Sequence, residues 1–129
     1  AERQPEYRPE LVAVRTVQQL PDGRIDEQRI KILFTELVYR LRYREDTGTG
    51  RLNWRLDDSF DNAIARMQGS WEFHDFDHGS ERTLGRFGSD VDVGRGVPRF
   101  LQDGMSRKTV VRYLQNVRRW IDSDGRWRP

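Results

Sequence analysis

Apolar residues in this chain recur at two periods, and the switch between them limits the fold more than any other feature. From residue 10 to residue 93 apolar and polar residues largely alternate, the period of a half-buried β-strand. Around Pro98 the spacing becomes three and four: Val97, Phe100, Leu101, Met105, Val111, Leu114, Val117 and Ile121, with Lys108 in the same stripe. That stripe predicts an amphipathic helix over about 98–122, with Pro98 in its first turn and Gly125 past its end. Arg99, Asp103, Arg107, Arg112, Arg119 and Asp122 fall on its other face.

The alternating part divides into six strands. "ELVAVRTVQQL" (10–20) is rich in Val and Leu, and "PDG" (21–23) supplies a turn. "RIDEQRIKILF" (24–34) places Ile30, Ile32 and Phe34 on one face. "ELVYRLRYRED" (36–46) places Leu37, Tyr39, Leu41 and Tyr43 on one face. The apolar parity thus changes near Thr35, which requires a bulge or a tight turn, because a one-residue slip exchanges the faces. "TGTG" (47–50) is a loop, "RLNWRLDD" (51–58) aligns Leu52, Trp54 and Leu56, and residues 59–65 connect. "RMQGSWEFHDF" (66–76) aligns Met67, Gly69, Trp71 and Phe73; "DHGSE" (77–81) turns into the glycine-bearing strand "RTLGRFGSDVDV" (82–93), which "GRGVP" (94–98) ends. Short turns between consecutive strands make an antiparallel meander, and a helix with one apolar face packs on a sheet face. The expected fold is α+β: a curved meander of about six strands wrapped around one long C-terminal helix.

The chain of 129 residues is read as one domain, 1–129, with one core. It is polar, with a mean hydropathy of -0.91. Its 4 Trp, 4 Tyr and 6 Phe nevertheless carry enough apolar area to offset chain entropy. The 23 Lys+Arg face 21 Asp+Glu, only Lys31 and Lys108 are lysines, and the two signs alternate instead of clustering. No basic stripe of the kind that binds nucleic acid results. Without cysteine there is no disulfide or thiolate chemistry. The cytoplasm is the expected compartment, with the periplasm left open. No apolar run approaches a membrane span, and no signal-peptide pattern occurs, which leaves only transient membrane contact. The chain starts with Ala, so a processed, trimmed or incomplete N-terminus is expected.

Candidate chemistry is sparse. His74 and His78, with Asp75 and Asp77 between them, have residue types that suit Zn or Ni. They fall on an expected hairpin tip, where Asp and Gly are turn residues, so no metal is assigned. The serines lie in no recognisable nucleophile setting. Asp57 and Asp58 are adjacent, hence on opposite faces of a strand. Gly85, Gly88, Gly94 and Gly96 lack phosphate-loop spacing and read as bend or bulge positions. No catalytic residue and no cofactor is assigned.

In order, "PEYRPELVAV" (5–14), the long strands, "GSWEF" (69–73), a hairpin and "DVDVGRGVPRFL" (90–101) resemble the START-like, or SRPBCC, superfamily, closest to its bacterial polyketide cyclase/dehydrase and lipid-transport group. The resemblance spans nearly the whole chain and rests on order and spacing. It implies a helix-grip fold with a cavity between sheet and helix that holds a hydrophobic molecule, lipid-like or polyketide-like. In that superfamily a strand and two short helices precede the "PEYRPEL" region. They are missing here, so residues 82–93 are expected to leave an open edge through which an oligomer can form.

With that resemblance, Tyr39, Trp54, Trp71, Phe87, Phe100, Met105, Val111 and Leu114 are the expected lining. Tyr43, Asn53, Arg86 and Asp90 are the candidate polar anchors. The first expectation for function is binding or transfer of the ligand. An aromatase/cyclase, with Tyr39, Arg86 or Asp90 polarising a carbonyl or moving a proton, is the enzymatic alternative. An assembly module pairing through the open edge is the third.

Overall fold

A computed structural model describes residues 2–32, 34–77, 81–94 and 107–129. The strands are β1 (Leu11–Leu20), β2 (Gly23–Ile32), β3 (Thr35–Asp46), β4 (Arg51–Leu56), β5 (Arg66–Phe76) and β6 (Arg82–Asp92). They form one antiparallel sheet in the order β1-β2-β3-β4-β5-β6, with β1 and β6 at its edges. Helix α1 (Arg107–Asp122) follows, and a short 3-10 turn, Gln4–Glu6, precedes β1. This is the expected helix-grip-like α+β arrangement. Residues 98–106 of the expected helix lie outside the described residues. Its end falls as expected: past Asp122, Gly125 takes φ 73°, and its N–H donates to the Trp120 carbonyl at 2.8 Å.

The parity change at Thr35 is resolved by a tight connection, with Ile32 paired to Thr35. β2 ends there, so the alternation through Phe34 does not continue: Phe34 stands 99% exposed beyond the strand, a correction to the face it was expected to share with Ile30. β1 carries two register shifts, Leu11/Ala13 and Thr16/Gln18, which place Leu11 and Val14 on the same face three residues apart. The core cluster joins them to Ile30, Tyr39, Leu41, Tyr43, Trp54, Ile64 and Met67. Ile64 comes from the 59–65 connector. Asn62 fixes that connector: its Oδ1 accepts the Arg40 N–H at 2.8 Å, and its Nδ2 donates to the Asp57 carbonyl at 2.8 Å.

The inner face of α1 differs from the expected stripe. Of the stripe, Leu114 and Val117 are half-buried as expected, but Val111 and Ile121 are 47% and 57% exposed, whereas Val110, Tyr113 and Trp120 are half-buried and Asn116 is buried. The helix is turned by one residue, about 100°. The reason is size: Tyr113 and Trp120 bury more apolar area than the aliphatic residues that define the stripe.

The N-terminal segment clasps the end of α1. The Tyr7 ring lies 5.1 Å from Trp120, whose Nε1–H donates to Glu6 at 3.0 Å. Asn116 Nδ2 donates to the Tyr7 carbonyl at 3.1 Å, and the Arg3 guanidinium sits 4.8 Å from the Trp120 ring.

Candidate ligand-binding cavity

Alternation puts odd-numbered residues of β3, β5 and β6 and even-numbered residues of β4 on the concave face. These strands contribute Tyr39, Tyr43, Trp54, Trp71, Phe73 and Phe87, and the rings meet. Trp54 stacks on Phe87 at 5.6 Å, and Trp71 tilts against Phe87 at 4.9 Å. From the helix, Tyr113 reaches across edge-on to Phe87 at 5.4 Å. Flat rings meeting at angles leave space that aliphatic side chains would fill. The result is a cavity of about 1070 Å³ between sheet and helix.

One end of the cavity is polar. β2 presents Gln28, fully buried, to its neighbour β3. Gln28 Oε1 accepts the Tyr39 hydroxyl at 3.0 Å, and its Nε2 donates to the Tyr43 oxygen at 2.9 Å. Beside them lies Arg8, whose side chain is 17% exposed. Its guanidinium is 5.4 Å from the Tyr113 ring, and it donates to Gln4 at 3.3 Å and to Glu10 at 3.4 Å. Arg24, also on β2, donates to the buried Asp26 carboxylate at 3.0 Å, pairs with Glu45, and lies 4.9 Å from the Tyr43 ring. Thr16 completes the shell of Asp26 with a 2.7 Å bond.

Burial raises the pKa of Tyr39, Tyr43 and Tyr113, outweighing the Arg8 charge that pulls each one down. At neutral pH the three phenols keep their protons. Arg8 stays charged: desolvation opposes its charge, and the neighbouring Glu10 carboxylate favours it.

Among the expected lining residues, Tyr39, Trp54, Trp71 and Phe87 border this cavity, as does the expected anchor Tyr43. From α1 the bordering residues are Thr109, Val110, Arg112 and Tyr113, so the helix meets the cavity one residue out of phase with the expected Val111 and Leu114. Phe100 and Met105 lie outside the described residues. Asp90 is at the rim, 3.1 Å from Arg66 and half exposed. Arg86 and Asn53 do not join the anchors. Arg86 is exposed opposite Glu72, and Asn53 alternates with Trp54 to the outer face. His74 is exposed on the outer face, 3.6 Å from Glu72; His78 lies outside the described residues. Asp57 and Asp58 separate as expected: Asp57 accepts from Ser59 at 2.9 Å, while Asp58 is exposed.

The sequence reading missed Arg8, Gln28 and Tyr113. Gln28 had a signal, because Asp26 and Gln28 alternate in phase with Ile30 and so share its inward face.

No family model matches the chain, and no curated protein matches it. Among solved structures, TTHA0849 from Thermus thermophilus superposes with a TM-score of 0.69 at 14% identity, over 95% of this chain and 83% of that one. The di-domain ARO/CYC StfQ from the steffimycin biosynthetic pathway superposes with a TM-score of 0.57 at 18% identity, over 89% of this chain and 34% of that one. At these identities the likeness is one of fold. No helix among the described residues is long and apolar enough to cross a membrane.

Proposed function

We propose that residues 1–129 form a START-like (SRPBCC) binding domain that carries a hydrophobic, ring-bearing small molecule, lipid-like or polyketide-like, between sheet and helix. One observation carries this reading: an aromatic-walled cavity of about 1070 Å³ with a small set of polar groups converging at one end. That combination is what a small-molecule site requires. Burial of ligand area supplies the affinity, about 25 cal/mol per Å². The rings of Trp54, Trp71, Phe87 and Tyr113 favour a flat ligand that can stack or meet them edge-on.

Carriage is favoured over catalysis because the phenols nearest Arg8 are held protonated. A general base works best with a pKa near the working pH, and burial moves these groups the other way. They are suited to donating hydrogen bonds. The fold likeness to an ARO/CYC protein supports a second reading, ring closure of a polyketide-like chain. In it Arg8 and the phenol hydroxyls would stabilise a developing enolate oxygen.

Titration of tryptophan fluorescence with fatty acids, sterols and aromatic polyketides tests the first reading, since Trp54 and Trp71 both line the cavity. Saturable quenching by a ring-bearing compound, recovered unchanged by mass spectrometry, is the expected result. A ring-closed product from a poly-β-keto compound would establish the second reading, and no saturable response to any compound would refute the binding domain.

A further inference from the structure

The cations of the cavity wall are not equally engaged. Arg24 is tied to Asp26 at 3.0 Å and also to Glu45, and Arg66 is tied to Asp90 at 3.1 Å. Lys31 and Arg112 are exposed at the rim, where solvent screens them. Arg8 differs from all four. It is largely buried, yet its bonds to Gln4 and Glu10 are 3.3 and 3.4 Å, and its other side-chain partner, the Tyr39 hydroxyl, is uncharged. Charge-assisted bonds normally close to about 2.7–2.9 Å. A buried guanidinium with long bonds has room for a better acceptor.

Its neighbours present donors as well. Tyr39 gives its proton to Gln28, and Gln28 spends an N–H on the Tyr43 oxygen. That oxygen is already the acceptor in its bond to Gln28, so the Tyr43 hydroxyl proton points elsewhere. Gln4 lies beside that hydroxyl, and its side-chain oxygen accepts from Arg8. Among the described residues Glu10 is the carboxylate bonded to Arg8, and its side chain is 35% exposed, so it can move aside toward solvent.

We infer that the cavity selects ligands bearing an anionic oxygen group, a carboxylate or an enolate, which docks on Arg8 in place of Glu10 while the apolar body lies against Trp54, Trp71 and Phe87. This inference rests on the binding reading above and adds the ligand's charge and orientation to it.

Two fluorescent probes with the same aromatic body test it: 1-anilinonaphthalene-8-sulfonate, which is anionic, and N-phenyl-1-naphthylamine, which is neutral. The wild-type chain should bind the sulfonate roughly tenfold more tightly, as a charge-assisted bond to a largely buried guanidinium implies. Arg8→Gln should bring the ratio close to one by weakening sulfonate binding. Glu10→Gln should strengthen sulfonate binding without strengthening binding of the neutral probe, whereas partial unfolding, which exposes apolar surface, raises the binding of both. Arg42→Gln, on the exposed outer face, should change neither affinity.

Equal affinity of the wild type for the two probes overturns the inference and leaves the cavity reading standing. So does an Arg8→Gln chain that keeps the preference. If Arg8→Gln does not fold, the Glu10→Gln chain decides, and an unchanged sulfonate affinity there also overturns it. Binding of neither probe overturns the cavity reading and this inference with it.

Discussion

Trp54 lies flat across Gly69, its cross-strand partner, so closely that a Cβ at residue 69 would collide with the indole and with the Gly88 carbonyl. The glycine therefore sets the height of the cavity floor: any side chain there would push the indole into the cavity. Gly69→Ala should destabilise the fold by about 1–3 kcal/mol, the usual cost of overpacking. Chemical denaturation measures the loss. The affinity for aromatic ligands should fall as well, because Trp54 is displaced toward Phe87.

Gln28 bonds two buried phenols at once. Gln28→Leu should leave both hydroxyls without their partner and cost about 1–3 kcal/mol for each. The triple change Gln28→Leu, Tyr39→Phe, Tyr43→Phe should recover a large part of that loss, because no orphaned polar group remains. Equilibrium urea unfolding of the single and triple variants checks both statements. Equal stability of the two would show that loss of Gln28 leaves neither hydroxyl orphaned.

All four tyrosines, Tyr7, Tyr39, Tyr43 and Tyr113, have their pKa raised chiefly by burial, Tyr7 to about 12. An unfolded phenol ionises near pH 10. Below that pH both states keep their protons, and stability is at its full value. Above it the unfolded chain binds fewer protons than the folded one, so stability falls as pH rises from about 10 toward 12. Tyrosinate absorbance should be nearly absent from the folded chain at pH 10 and half developed in the urea-unfolded chain at the same pH. Normal titration in the folded chain would mean that the phenols are open to solvent.

The clasp between the 3-10 turn and α1 should hold the helix end in place. Trp120→Ala removes the ring that Tyr7 and Arg3 contact and the donor to Glu6. The ring is half-buried, so the expected loss is about 1–3 kcal/mol, below that of a full core aromatic. Limited proteolysis should then cut sooner within residues 2–10. An unchanged cleavage rate would show that the segment is anchored by other contacts.

The strands were legible because alternation is a local signal: Leu37, Tyr39, Leu41 and Tyr43 announce the inward face of β3 without help from any other element. The tight connection before Thr35 was legible for the same reason, as a change of parity. The face of α1 was not, because counting aliphatic residues favours Val111 and Ile121, while the sheet instead accepts Tyr113 and Tyr7 accepts Trp120. Which ring fits is a property of the surface opposite. The site divides along the same line. Trp54, Trp71 and Phe87 could be placed by parity. Arg8 lies in irregular chain before β1, where no period indicates direction, and its burial depends on α1 crossing above it. Arg86, read as an anchor, is an arginine of the right type on the outer face.

The central claim, that this fold encloses an apolar ligand, is tested most directly by native mass spectrometry of the chain purified from its source, before and after organic extraction. The account predicts a co-purifying apolar compound of defined mass, lost on extraction and bearing an acidic group. A clean unliganded mass, with no uptake from a panel of lipids and polyketides, would contradict it.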